Sequence, residues 1–430
     1  MSRLPIIENP AKQKWASLLA RPVHEGENLD SAVKKILSGV KSRGDKAVNE
    51  YSLQFDKVAL EVRSVQPDEF IRAENILETE LKKAIRQARE NISAFHSIQQ
   101  VAEPIVKIQP GISCWRKQVA IEKVGLYIPG GTAPLFSTLL MLGVPAVLAG
   151  CPEIIICTPP QKDGTIHPAI LYAAQVTGIQ KIFRVGGIQA IAAMAYGTES
   201  IPKVYKIFGP GNQWVTHAKR IVQQEGVAID MPAGPSELAI FADETAVPSY
   251  VAADLLSQCE HGEDSQTILV TDSPNFAENV NAELEIQIAK LPRQFIAEKS
   301  LGNSKIFIIP DPIVSMELIN EYAPEHLILA CRNATELAGR VRNAGSVFLG
   351  NFAPESAGDY ASGTNHVLPT NGFARVYGGV SIDSFVKKIS FQQLTPEGLQ
   401  GIGSTVIEMA RAEGLQGHAA AIEIRLKPKA

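Results

Sequence analysis

A block of lysine and arginine is missing from this sequence. Its formal net charge is −4, its pI is near 6.1, and the 41 basic residues are scattered among 45 acidic ones. That excludes the electrostatic footprint of a nucleic-acid or membrane-surface binder. A long apolar run is missing as well. The opening MSRLPIIENPAKQKW has no apolar core after its basic start, and no stretch reaches the roughly 18 residues of a membrane span. Cysteine is scarce: five residues, odd in number, with no CxxC pair. They read as reduced thiols of a cytoplasmic protein. Aromatics make up 6 %, and there is no repeat or low-complexity segment. What is present, 45 % hydrophobic and 20 % charged residues over 430 positions, is a soluble globular composition too long for one ordinary core. Two or more domains are expected.

Periodicity divides the chain by texture. Val33, Ile36, Leu37 and Val40 predict an amphipathic helix over Ser31 to Val48. Pro67 to Gln100 reads as one long helix or two, with Asp68 as the start signal. From Val124 onward short apolar runs recur: VGLYI, EIIIC, KIFRV, KVYKIF, ELAIFA, QTILVT, KIFII, HLILA and SVFLG. Helix-like segments or Gly/Pro loops separate most of them, which points to βα units and mainly parallel sheets. After Phe385 the pattern predicts helix again. Thr395-Pro396 supplies an N-cap and a first-turn proline, and the helix stops at Gly414.

Several polar groups stand where an α/β frame places sites. Three glycine turns follow strands: Tyr127-IPGG, Arg184-VGG before Gln189, and Phe208-GPG before Asn212. Such turns let a backbone approach a phosphate or ribose, although each alone is an ordinary strand-to-helix turn and no GxGxxG occurs. Gln258 and His261, three apart, would share one helix face and could offer oxygen and nitrogen to a metal; the plainer reading is a polar helix end. Cys259 between them reads either as a nucleophile or as a small buried residue. Asp359 and His366 lie in a segment of small residues, a ligand and a donor or else turn chemistry. Glu413 ends a helix and His418 opens the next. Glu325 and His326 stand side by side after Pro324, at the entrance to an apolar run. His326 suits a general base near neutral pH, and Glu325 a second one if burial raises its pKa; the bland alternative is a capping Glu.

Taken in order, IEKVGLYIPGGTAPLFSTLLML, GPGNQWVTHAKR, DMPAGPSE, EHGEDSQ, YAPEHL, SAGDYASGTNHVLPT and EGLQGHAAA resemble the histidinol dehydrogenases, from about Ser31 to Arg425. The resemblance implies two Rossmann-like, aldehyde-dehydrogenase-like α/β domains plus small helical N- and C-terminal segments. It implies a helical segment 1–24, a zinc and substrate domain of 25–126 with 238–381, an NAD domain of 127–237, and a C-terminal segment 382–430 swapped in a homodimer. It implies NAD-dependent oxidation of L-histidinol to L-histidine through histidinal, the last two steps of histidine biosynthesis, in the cytoplasm. Zinc ligands would be Gln258, His261, Asp359 and His418. The catalytic pair would be Glu325 and His326. Substrate contacts would add Ser236, His366 and Glu413 to the zinc ligands and His326, and NAD contacts would be Tyr127, Gln189 and Asn212. Trp214 stands where the family has Tyr, and Cys259 where it often has Ala; neither is a ligand.

Two other functions fit the same motifs. A paralogue that oxidises another primary alcohol twice would keep the zinc set and the Glu325–His326 pair but change Ser236, His366 or Glu413, all of which are present. A zinc-holding binding protein would have no use for the two bases.

Overall fold

The computed structural model describes residues 3–22, 27–59, 63–130, 134–232 and 234–427. Gly131 of the first glycine turn, Ala233 of DMPAGPSE and the expected boundary at 24/25 lie outside the described residues. A short strand β1 (Ile6–Glu8) opens the chain. A short helix, Trp15–Leu18, and four longer ones follow, Glu27–Arg43, Asp45–Phe55, Pro67–Ile76 and Thr79–Ser97. Next come β2 (Val106–Gln109) and β3 (Ile112–Ala120), and then alternating strands and helices. These strands are β4 (Lys123–Tyr127), β5 (Glu153–Thr158), β6 (Ile182–Arg184), β7 (Lys206–Phe208), β8 (Ala228–Ile229), β9 (Glu237–Ala242), β10 (Gln266–Thr271), β11 (Lys305–Ile308), β12 (His326–Ala330) and β13 (Ser346–Leu349). Strand β14 (Val386–Leu394) and two helices, Pro396–Ala412 and Gln416–Leu426, end the chain.

The strands form three sheets. The smaller parallel sheet has the order β6-β5-β4-β7-β8 and the larger one β1-β11-β10-β9-β12-β13. Counted from the first strand of its own run, each reads 3-2-1-4-5, the doubly wound order, with β1 added at one edge of the larger sheet. Every residue of β9, β10 and β12 is buried. That follows from apolar runs without alternation, since a parallel sheet is covered on both faces. Separate clusters of apolar side chains fill the two faces of the larger sheet, one around Leu255, Leu269 and Ile306, the other around Phe241, Phe307 and Tyr322.

Four expectations change. The helix predicted over 31–48 is two helices, broken at Gly44, which takes φ +54°. The 67–100 segment is two helices, the second of its two readings, but the first starts at a capping box of Gln66 and Glu69 rather than at Asp68. The terminal segments are not purely helical: β1 joins the larger sheet, and β14 pairs antiparallel with β3 along nine residues, from Val386 opposite Ala120 to Leu394 opposite Ile112. The grouping of 25–126 with 238–381 also differs from the packing. Val33, Ile36, Leu37 and Val48 bury against Ile188, Ile191 and Val222, while Ile85 and Ile92 bury with Leu139, Leu142 and Tyr172. The four early helices therefore cover the smaller sheet, and that sheet begins at Lys123 rather than at Tyr127.

Candidate active site

The smaller sheet offers its carboxyl edge. Tyr127 ends β4, Gln189 sits in the first turn of the helix Gly187–Tyr196 after β6, and Asn212 caps the helix Gln213–Gln224 after β7. Strands β4 and β7 are neighbours where the strand order reverses, the place where doubly wound sheets leave a crevice. The chains approach closely there. A Cβ on Gly209, at φ +126°, would stand 2.1 Å from the Tyr127 carbonyl oxygen, so only glycine fits. The Asn212 side chain accepts from the N–H groups of Trp214 and Val215, both at 3.1 Å. Buried Lys219 donates to the Gly209 carbonyl at 2.8 Å, and Asp230 accepts from the Gly209 N–H at 2.8 Å, which braces the GPG turn. The Tyr127 hydroxyl accepts from Gly187 N–H at 3.2 Å, and Gln189 donates to Asp56 at 3.3 Å.

The larger sheet offers the opposite edge. The helix Pro248–Cys259 leaves β9, runs back along the sheet, and brings Gln258 and His261 to the amino ends of the strands. The helix Pro312–Tyr322 does the same from β11. It stops at Ala323, which takes the left-handed conformation (φ +53°), and Pro324 then delivers Glu325 and His326 at the start of β12. The short helix Glu355–Tyr360 adds Glu355 and Asp359, one turn apart on one face. Oxygen and nitrogen atoms of His261, Glu355 and Asp359 lie within 4.8 Å of one another. The buried Gln258 amide, oriented with its nitrogen toward Glu355, donates to Oε1 at 2.9 Å and to Oε2 at 3.3 Å. Its carbonyl oxygen then remains as a metal donor. His326 Nε2 stands 3.5 Å from Asp359 Oδ1 and makes no hydrogen bond, although it is buried. His366 Nδ1 meets the Asp359 carbonyl at 2.8 Å, and its Nε2 meets Thr138 Oγ1 at 3.2 Å. Thr138 lies in the first turn of Phe136–Leu148, the helix that follows β4. The two edges therefore face each other across this contact.

Burial dominates the electrostatics. It pushes Glu325 up to about 8, against the pull of the His326 charge and of the Glu237 N–H. It pushes Glu355 up to about 8 in the same way, against His326. For His326, burial disfavours the cation, but Glu355, Glu325 and Asp359 together outweigh it and raise the ring to about 10. Burial also acts on Asp359, where His326 close by reverses it and holds the acid below the usual range. His261 and His366 are lowered by burial. Three carboxyls crowd around His261 and His326, and two of the acids are displaced toward the neutral form, so a further positive charge at this edge would favour their ionised state. The donor set of one imidazole, two carboxylates and an amide oxygen is suited to a borderline divalent ion such as zinc.

Of the residues predicted from sequence, Gln258, His261, Glu325, His326, Asp359 and His366 meet here. Ser236 immediately precedes β9 on the same edge, its carbonyl accepting from Gln266 N–H. Glu413 and His418 do not join them within one chain: both are exposed in the C-terminal helices, outside the cluster of His261, Glu355 and Asp359. Cys259 is fully buried and pushed up to about 11 by burial, which removes the nucleophile reading. The sequence reading omits Glu355. Its signal was available, because Glu355 and Asp359 are spaced i, i+4.

Two doubly wound sheets, a glycine-rich crevice and a metal-suited acid–base cluster define a dinucleotide-type oxidoreductase. Comparison with known proteins makes this specific. The histidinol dehydrogenase family model matches residues 19–426. The chain is 57 % identical to histidinol dehydrogenase of Bacteroides thetaiotaomicron, over 98 % of this chain and 99 % of that one. It is 48 % identical to histidinol dehydrogenase of Escherichia coli, over 96 % and 95 %. The crystal structure of histidinol dehydrogenase from Elizabethkingia anophelis superposes with a TM-score of 0.97 at 50 % identity, covering 98 % of each chain. The chain belongs to the histidinol dehydrogenase family and is an oxidoreductase. Among the described residues no helix is long and apolar enough to cross a membrane.

Proposed function

We propose that the chain oxidises L-histidinol to L-histidine through histidinal, with two NAD consumed, as the last two steps of histidine biosynthesis in the cytoplasm. The supporting observation is the buried Glu325–His326 pair, with His326 Nε2 unbonded and turned toward the donors His261, Glu355 and Asp359. A carbonyl oxygen, that of Glu237, lies 3.4 Å from His326 Nδ1. An oxygen can only accept there, so Nδ1 carries a proton, and Nε2 would take and release the second once a bound cation opposes the charge that the nearby acids favour on the ring. Gln258, His261 and Asp359, joined by Glu355, would hold zinc; when bound, it fixes the substrate nitrogens and opposes the charge on His326. Tyr127, Gln189 and Asn212 would hold NAD, the hydride acceptor. His326 Nε2 takes the hydroxyl proton as the first hydride leaves. Glu325, raised by burial toward neutral pH, takes a proton from the water that adds to the aldehyde. His326 then accepts the proton of the hydrate in the second oxidation. Ser236 and His366 line the substrate side of the same edge.

The C-terminal segment supports a homodimer. Strand β14 and the two last helices leave Ile389, Phe391, Leu394, Met409, Leu415 and Ile424 exposed, an apolar surface that a partner would cover. In that arrangement Glu413 would reach the partner's substrate and His418 would be a further ligand of its zinc. The deciding experiment is the stoichiometry of the reaction. Two NADH per histidinol are expected, with histidine as product. One NADH with free aldehyde accumulating would overturn the four-electron reading, and no NADH with histidinol would refute the substrate.

A further inference from the structure

Both bases of the proposed mechanism are held by a single residue that takes no part in it. Glu237 N–H donates to Glu325 Oε2 at 2.9 Å, and the Glu237 carbonyl faces His326 Nδ1 at 3.4 Å. The first bond orients the carboxylate, and the second fixes the imidazole tautomer. The side chain of Glu237 points the other way, is almost fully buried, and is itself an acid. Its partner comes from the far end of the sequence. Arg21 Nε donates to Glu237 Oε1 at 2.5 Å and Arg21 Nη2 to Oε2 at 2.8 Å, a two-pronged pair. Asn371 N–H adds a third bond to Oε1 at 2.7 Å.

Arg21 reaches further than the carboxylate. Its Nη2 also donates to the carbonyl of Tyr322 at 2.6 Å, and its guanidinium lies 4.4 Å from the centre of the Tyr322 ring. Tyr322 is the last residue of the helix that ends at left-handed Ala323 and hands Glu325 and His326 to the site. The Tyr322 hydroxyl donates to Gln266 Oε1 at 3.0 Å, and Gln266 Nε2 donates back to the Ala20 carbonyl at 3.1 Å. One guanidinium thus ties together the start of β9 and the end of the helix before β12. Those are the two chain segments whose relative position sets the Glu325–His326 geometry.

We propose that Arg21 is a positioning residue for the Glu325–His326 pair, acting through Glu237 and the Tyr322 carbonyl. This rests on the roles given above to Glu325 and His326. The partners of Arg21 are Glu237 and Tyr322, neither of which is given a contact with substrate or cofactor above. Its planar fork is the part that matters, since a lysine ammonium would keep the charge but could not span both acceptors of Glu237 and the carbonyl of Tyr322.

The test is Arg21→Lys in the zinc-loaded, full-length protein, with metal content and thermal melting recorded alongside kinetics. Misplacement of the bases by a fraction of an ångström should lower kcat on the order of 10- to 100-fold, with KM for histidinol and for NAD changed by less than about twofold. In single-turnover NADH traces the aldehyde step, which uses both bases, should slow more than the alcohol step. A folded, metal-loaded Arg21→Lys with parental kcat would overturn the proposal. So would a loss that appears in KM alone. If Arg21→Lys does not fold, the double variant Arg21→Met/Glu237→Gln removes both charges together. There the same fall in kcat at unchanged KM is expected, and parental kcat overturns the proposal. The unsubstituted protein is assayed in parallel. If it makes no NADH from histidinol, the functional reading has failed; if it does, a silent variant condemns only the role of Arg21.

Discussion

The two parallel sheets share one strand order and use opposite edges. In the smaller sheet Tyr127, Gln189 and Asn212 stand at the carboxyl ends of β4, β6 and β7, where backbone turns and helix N-termini gather. In the larger sheet Gln258, His261, Glu325 and His326 stand at the amino ends of β9, β10 and β12, where helices finish. The difference is one of chemistry. A carboxyl edge offers N–H groups and favours a ligand with phosphates. An amino edge offers carbonyl groups and, here, several carboxylates, and favours cations and proton transfer. Topology alone locates the first site and is silent about the second.

The sharpest way to separate the two edges is to remove one base at a time. His326→Asn should slow both oxidations by roughly 10²- to 10⁴-fold while NAD affinity stays within about twofold, because nothing at the carboxyl edge has changed. Glu325→Gln should slow only the aldehyde step. Stopped-flow NADH traces with histidinol, and then with histidinal, resolve the two. Equal losses in both steps for Glu325→Gln would show that the bases do not divide the work.

The cation at the amino edge is the next point of attack. Glu355 closes the ligand cluster and accepts the Gln258 amide. Glu355→Gln should weaken zinc retention by about 10- to 100-fold, the range seen when groups supporting a metal site are altered. Metal analysis after dialysis against a graded chelator reads it directly. Unchanged retention would exclude Glu355 from the centre and return the donor set to the residues predicted from sequence.

That omission marks what a sequence displays. Most strands of both sheets were legible as short apolar runs bounded by turn residues, as in ELAIFA and HLILA; the short β1 and the two-residue β8 were not. Glu325 and His326 were legible because two titratable groups preceded such a run. Strand β14 was not. VKKISFQQL has no strict alternation, and its partner β3 lies some 270 residues away (Val386 opposite Ala120), so the pairing is non-local. The early helices were legible as amphipathic, but periodicity says that a face is buried and not against which sheet. Glu413 and His418 were legible only through resemblance, since within one chain they contact no part of the ligand cluster.

If those two residues complete a partner's site, inactive proteins should rescue one another. His261→Ala and His418→Ala damage the same centre from different chains under that arrangement. Mixing them at equal concentrations with complete exchange gives at most about a quarter of sites free of either lesion, by random subunit pairing. Native mass spectrometry follows the exchange. Mixed dimers without recovered activity would place His418 in its own subunit's site and refute the swap.

The smallest effect tests whether a buried acid at the carboxyl edge behaves unlike those at the amino edge. Asp56 lies beside Gln189 and Tyr127 with no cation as partner among the described residues, and burial raises it from 3.8 to about 6 despite the bond from Gln189. Its folded pKa exceeds its unfolded one. The stabilising contribution is therefore full below about pH 3.8 and is lost as pH rises through 6. Asp56→Asn keeps an oxygen for Gln189 and has no proton to lose. Relative to the parent, its Tm should already be slightly higher at pH 5 and higher by about 1–2 °C at pH 8, after discounting the shift for the part of Asp56 that water reaches. The acids Glu355 and Asp359 should respond in the opposite sense. They gain a cation, so neutralising them in the zinc-loaded protein lowers Tm at pH 8. A Tm difference for Asp56→Asn that does not vary between pH 5 and 8 would mean that water already solvates its carboxylate, and the contrast between an acid left without a cation and acids supplied with one would fail at that position.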